Sequence, residues 1–256
     1  MIYGLLFDLG STLLYNAHDY NWGAILPRMH SALLAHLHAA GYTVDGPAFL
    51  NRFSANIQEF HQQRQTDWVE YTTEWILRRT LDDLGAPPPE PPLIAAALQA
   101  YYAYSESLWQ PMPHLHETLQ QLAAAGLKLA IISNASDNAN VQRLIDTANL
   151  RRYFDPIIVS AAVGMRKPNP KIFELVLNRW QLPPAACVMV GDRLGADILG
   201  AQMAHLHNIW LTTQAEHPAN RAHRDTIIPE ATAVTLAEVP EVIKKLLDGI
   251  RKTAEG

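Results

Sequence analysis

The chain has 256 residues, 48% of them hydrophobic and 18% charged, with a formal net charge of −5. That balance excludes a disordered chain, and the acidic excess gives no electrostatic reason to expect nucleic acid or an anionic membrane as partner. Cys187 is the single cysteine, so no internal disulfide can form; with no signal-type segment and no apolar run of spanning length, a soluble cytoplasmic protein is expected.

The chain opens on an apolar run, Tyr3–Phe7, that reads as a buried parallel strand ending in a single carboxylate, Asp8. Helical spacing then takes over. Ile25, Met29, Leu33 and Leu37 mark a helix over 21–40, with Pro27 as a kink or as its true start and Gly41 as its stop. Two more helices are predicted over 47–64 and 66–84, the second carrying Trp68, Tyr71 and Trp75 on one face. The proline-rich 85–92 stretch is a stiff loop, and 93–109 a fourth helix. This block holds no clear strand and reads as an inserted four-helix bundle, entered near 15–19 and left through 110–113.

From Leu115 onward helix and strand alternate. Strands are expected at 128–132, 156–160, 187–190 and 208–211, with a further edge strand at 234–236. Helices fall between them, one started by Asp137, one with Pro170 in its first turn, one over 194–204 and a last one over 238–247 before a frayed tail at 251–256. Such alternation implies an α/β fold, a doubly wound parallel sheet with a Rossmann-like core. In such sheets ligands bind beyond the carboxyl ends of the strands. Asp8, Ser133-Asn134, Lys167, and Asp192 with Asp197 all fall at or just beyond strand ends.

Four stretches in this order, Asp8-Leu9-Gly10-Ser11-Thr12, Ile131-Ile132-Ser133-Asn134, Lys167-Pro168-Asn169-Pro170 and Gly191-Asp192 through Asp197, resemble the motifs of the haloacid dehalogenase-like hydrolase superfamily. The resemblance implies a core made of residues 1–15 and 110–256 with a helical cap at 16–109. It further implies a phosphatase of a small phosphorylated metabolite, acting through an aspartyl-phosphate on Asp8. Lys167 would be the second catalytic residue. Mg²⁺ would be held by Asp8, the Gly10 carbonyl, Asp192 and Asp197, an all-oxygen set of the kind that ion prefers. Asp197 would hold a metal water or orient Lys167, while Ser133, Asn134 and Thr12 would bind substrate. Arg166 reads as a surface charge or salt-bridge partner. The oligomeric state and the identity of the substrate are left open.

The chain departs from the family pattern at Gly10, which stands where the family's phosphatases carry an acid–base Asp. Such a group contributes typically about 10²–10⁴-fold, so a slow or specialised enzyme is expected, or one whose acid comes from Asp19 or His18. A metal-free dehalogenase resembles Asp-x-Tyr-Gly-Thr followed soon by arginine; here Gly10 takes the tyrosine's place and the first arginine is Arg28. A phosphonatase needs a cap lysine, and the first lysine is Lys128. A catalytically weak binding relative is the remaining alternative. Of the histidines, His36 with His38 and His205 with His207 lack metal-ligand spacing.

Overall fold

The computed structural model describes residues 2–16 and 21–255, so His18 and Asp19 lie outside the described residues. The first strand, β1 (Gly4–Phe7), is buried along its whole length. After the six residues 8–13 comes β2 (Leu14–Asn16). Four helices follow: α1 (Trp22–Ala39), α2 (Gly46–Asp67), α3 (Thr73–Asp83) and α4 (Pro91–Glu106). They pack around an apolar core of their own, built from Ile25, Leu33, Phe49, Phe53, Leu77 and Leu98 among others. The caps are those the sequence chemistry favours. Asp45 Oδ1 accepts from Ala48 N at 2.8 Å, Thr72 Oγ1 accepts from Trp75 N at 3.1 Å, and Pro91 stands at the first position of α4.

The chain leaves the helices through β3 (Trp109–Pro111), which pairs antiparallel with β2 as a short ribbon. The α/β part then runs α5 (Leu115–Ala124), β4 (Lys128–Ser133), α6 (Asn138–Thr147), β5 (Ile157–Val159), α7 (Ser160–Val163), α8 (Pro170–Trp180) and β6 (Cys187–Gly191). It ends with α9 (Leu199–Met203), β7 (His207–Leu211), α10 (Pro218–Arg221), β8 (Ala231–Ala233) and α11 (Val239–Glu255). The sheet order is β5-β4-β1-β6-β7-β8, and every pairing in it is parallel. Alternation divides the strands between two apolar layers. Leu5, Phe7, Ile131 and Val190 face one layer, and Leu6, Ala130, Ile132 and Met189 face the other.

The fold class is as expected, with local differences. Pro27 lies inside α1 rather than at its start. The expected 66–84 helix is broken: α2 runs on to Asp67, Trp68 turns left-handed (φ 55°), and α3 begins only at Thr73. Tyr71 therefore sits in a loop, and it joins Trp75 and Phe60 in an aromatic cluster instead of a helical stripe. The fourth helix stops at Glu106, freeing Trp109 for β3. The edge strand falls at Ala231–Ala233, three residues before the expected place. The helix expected over 194–204 begins as a π-helical turn, Leu194–Ile198, and α11 continues to Glu255 where a frayed tail was expected. No helix among the described residues is long and apolar enough to cross a membrane.

Candidate active site

β1 pairs with β4 on one side and β6 on the other, so the connections leave it in opposite directions. A crevice opens at such a reversal beyond the strand ends. Asp8, the residue after β1, sits there with its N–H donating to Val190 O at 3.0 Å. Ser133 ends β4 and is buried, and Asp192 follows β6. Lys167 reaches the crevice from the 164–169 turn. Its ammonium donates to Asp8 Oδ1 and to Ile132 O, each at 2.6 Å, and forms an ion pair with Asp197 Oδ1 at 2.6 Å.

Asp197 needs close approach to take part. Its Oδ2 accepts from Arg193 N at 2.8 Å, and a Cβ on Gly191 would overlap the Asp197 carboxylate. Only glycine leaves that space, which explains Gly191 without any appeal to backbone freedom. The loop after Asp8 has a different solution. Its left-handed residue is Ser11 (φ 60°), while Gly10 has no positive φ. A Cβ on Gly10 would meet the Trp109 indole at 3.4 and 3.7 Å, an ordinary packing distance.

One carboxylate oxygen from each of Asp8, Asp192 and Asp197 lies within 4.8 Å of the others. All three residues are buried; Lys167 pairs with Asp8 and Asp197, and Arg193 Nε stands 3.2 Å from Asp192 Oδ2. Burial pushes the Asp8 carboxyl up to about 6 against the pull of Lys167. Burial, with repulsion from Asp8 and Asp197, pushes Asp192 well above the usual carboxylate range. Asp197 and Asp8 outweigh burial at Lys167 and hold its ammonium above its ordinary value. Asp192 Oδ2 is buried without a hydrogen bond. An excess of buried carboxylate with an orphaned oxygen, and no sulfur or imidazole among the donors, fits a hard divalent cation such as Mg²⁺.

The other expected residues sort by what their side chains touch. Thr12 is fully buried, with Oγ1 3.5 Å from Asp192 Oδ1. The Asn134 amide is turned away from the crevice onto the Lys167 main chain: Nδ2 donates to Lys167 O and Oδ1 accepts from Lys167 N, both at 2.9 Å. Arg166 is a salt-bridge partner of Glu70, at 3.7 Å. His207 pairs with Glu230, and His38 Nε2 lies 3.0 Å from Val44 O.

Two residues near the crevice carried no sequence signal. Asp192 O accepts from Trp210 Nε1 at 3.0 Å and from Asn220 Nδ2 at 2.8 Å, and Asn220 Oδ1 accepts from Leu194 N at 2.9 Å. These bonds fix the backbone that presents Asp192. A buried asparagine in a four-residue helix matches no motif, so only the fold reveals it.

Similarity to known proteins extends over most of the chain. Residues 2–205 match the family model for haloacid dehalogenase-like hydrolases. A glyceraldehyde 3-phosphate phosphatase of Methanopyrus kandleri is 31% identical over 195 residues, 74% of this chain and 81% of that protein. A phosphoserine phosphatase of Thermus thermophilus is 26% identical over 67% of both chains. Among solved structures, a 2-haloacid dehalogenase from Pseudomonas syringae superposes with a TM-score of 0.68 at 26% identity, covering 96% of this chain and 100% of that one.

Proposed function

The chain belongs to the haloacid dehalogenase-like hydrolase family, and on that premise we propose that it is a Mg²⁺-dependent phosphatase of a small phosphorylated metabolite. In this reading residues 1–15 and 110–256 form the catalytic core and 16–109 the cap that selects the substrate. The observation that carries it is the buried trio Asp8, Asp192 and Asp197 around Lys167, with carboxylate charge in excess. The phosphatase names of the relatives support the substrate class.

Asp8 is the nucleophile. Its free oxygen attacks phosphorus, the bond to the leaving oxygen breaks, and an acyl phosphate forms. Water then attacks phosphorus, releasing inorganic phosphate and the carboxylate. Lys167 holds Asp8 in place and sets a fixed positive charge beside the transferring group. Mg²⁺, held by Asp8, Asp192 and the Gly10 carbonyl with Asp197 close by, would supply the neutralisation that phosphoryl transfer needs. Thr12 and Asn134 act by orienting Asp192 and Lys167, and Ser133 meets the phosphoryl oxygens. The leaving oxygen finds no carboxylic acid at Gly10, so substrates with stable leaving anions are favoured.

The test is turnover of an aryl phosphate with and without Mg²⁺, beside Asp8→Asn. We expect metal-dependent activity and a loss of roughly 10⁴-fold or more in the variant, whose amide cannot attack. Full turnover after exhaustive chelation would move the protein to the dehalogenase reading. Activity retained in Asp8→Asn, with deamidation excluded by mass spectrometry, would refute the covalent mechanism.

A further inference from the structure

A further buried carboxylate, Glu70, lies on the seam between the helical bundle and the sheet, outside the acidic trio. It belongs to the loop that breaks α2 from α3, and its side chain is wholly buried. Glu70 Oε2 accepts from Ser160 Oγ at 2.8 Å, and Oε1 accepts from Ser136 Oγ at 3.2 Å and from Arg64 Nη1 at 3.4 Å. Arg166 Nη1 stands 3.7 Å from Oε2. Main-chain bonds surround this cluster. Glu70 N donates to Gly164 O, Arg166 N to Trp68 O, and Thr73 N to Ser136 O, while Val69 and Met165 form an antiparallel bridge. The loop thus lies along the two core segments that carry Asn134 and Lys167.

Adhesion alone does not call for a carboxylate here, because apolar residues of similar volume often hold a buried contact as well as an ion pair does. The bonds of Ser160 show what the charge adds. Its Oγ accepts from Ala135 N at 2.9 Å, and its one proton has two acceptors within reach, Glu70 Oε2 at 2.8 Å and Ala135 O at 3.1 Å. With the bundle seated, the anionic oxygen takes that proton. With the bundle lifted, the hydroxyl can turn to Ala135 O. Ala135 follows Asn134, whose amide clamps the Lys167 main chain at both its N–H and its carbonyl. A continuous set of bonds therefore runs from Glu70 through Ser160 and the 134–135 segment to Lys167.

We propose that Glu70 is a positioning residue that couples seating of the helical bundle to the placement of Lys167, acting through Ser160 and Asn134. Glu70 does not touch the reacting atoms. The proposal deepens the phosphatase reading and rests on it for the role of Lys167. It makes the reaction sensitive to closure: Lys167 is held in place when the bundle covers the crevice and loosened when it does not.

The test is a double-mutant cycle of Glu70→Gln and Ser160→Ala on the full chain, with Glu74→Gln as control. Glu74 pairs with Arg78 on the exposed face of α3 and should leave activity unchanged. Two readouts are taken: kcat and KM on the aryl phosphate with Mg²⁺, and hydrogen–deuterium exchange of the 68–73, 133–136 and 164–167 segments. Each single variant should lower kcat/KM by about tenfold, and the double variant should lose little more than either, because both cut one path. Exchange should rise on the core segments as well as on the 68–73 loop. Additive losses, or exchange that rises only in the 68–73 loop, would overturn the coupling. Should the wild type fail to hydrolyse any phosphate, the phosphatase reading falls alone. The exchange measurement needs no turnover, and it still supports or refutes the link between Glu70 and the Lys167 segment.

Discussion

The crevice at the end of β1 and the seam around Glu70 are both clusters of buried charge, and they carry opposite excesses. At the crevice Asp8 and Asp197 pair with Lys167 and Asp192 pairs with Arg193, three carboxylates against two cations. At the seam two guanidiniums share one carboxylate. Their geometry differs as well. The lysine contacts are 2.6 Å long and the side chain is 1% exposed, whereas the arginine contacts are 3.4 and 3.7 Å with side chains 18% and 17% exposed. Burial, and after it the Arg166 charge, push the Arg64 guanidinium down to about 10. A tight excess of negative charge asks for a cation that stays. A loose excess of positive charge can form and break as the bundle moves, because its arginines reach water. The first cluster suits chemistry and the second suits closure.

The largest expected effect adds to the negative side. Gly10→Asp places a fourth carboxylate two residues from Asp8 and restores the family's acid–base position. Gly10 has no positive φ, and its Cβ would meet the Trp109 ring at an ordinary distance, so the backbone gives no reason for a folding defect. If proton transfer to the leaving group limits turnover, kcat should rise by up to about 10²–10⁴-fold. The gain should be greatest for alkyl phosphates, whose leaving anions are poor, and should need Mg²⁺ because the added charge enlarges the carboxylate excess. A stable variant with unchanged or lower kcat on both aryl and alkyl phosphates would show that the acid comes from elsewhere.

A smaller effect, on stability, cuts each cluster at its hub. Lys167→Met leaves Asp8 and Asp197 buried without their cation, and removing one partner of such a pair costs about 3–5 kcal/mol. Glu70→Gln removes the anionic acceptor that draws the Ser160 proton but leaves no buried charge stranded, because the two arginines can turn to solvent, so the loss should be roughly half of that or less. Urea unfolding with chelator present compares them directly. Equal losses would erase the distinction between the two clusters.

The crevice was legible in the sequence and the seam was not, for physical reasons. Asp8, Ser133 and Asp192 each stand at the end of a short apolar run, Lys167 stands in its own Lys-Pro-Asn-Pro motif, and a parallel sheet brings strand ends together whatever the loops do. Glu70 has no such marker. It falls in a stretch whose spacing reads as one helix from 66 to 84, and the break depends on Trp68 turning left-handed, a conformation that a bulky residue rarely adopts. The core partners that hold it, Ser136, Ser160 and Arg166, come from 66 to 96 positions away, and only Arg64 is local. The β2–β3 ribbon was equally hidden, because three-residue strands pairing across the whole helical insertion leave no periodicity. Asn134 shows the intermediate case: its position was readable, but the direction of its amide was decided by the Lys167 main chain.

The smallest expected effect tests the sign of the negative cluster without mutation. Burial raises the Asp8 carboxyl from 3.8 to about 6 in the folded, metal-free protein, and Asp192 moves the same way. Between those two values the folded state binds more protons than the unfolded state, so this stabilising contribution is complete below 3.8 and is lost as pH rises through about 6. At neutral pH the metal-free site therefore carries the ionised Asp8 carboxylate at full cost. Mg²⁺ binds the ionised form and competes with protons, so it should stabilise most where the protons have gone. The increment in Tm between Mg²⁺ and chelator should be several degrees at about pH 7.5 and close to nothing at about pH 5. Taking the difference at each pH cancels carboxylates and histidines elsewhere, which titrate alike in both samples. Asp192→Asn should shrink the increment at the higher pH, and Glu70→Gln should leave it in place, because the seam lies outside the ion's reach. An increment independent of pH would refute the competition between Mg²⁺ and protons at the crevice, and one removed by Glu70→Gln would show that the two clusters are a single electrostatic unit and not two.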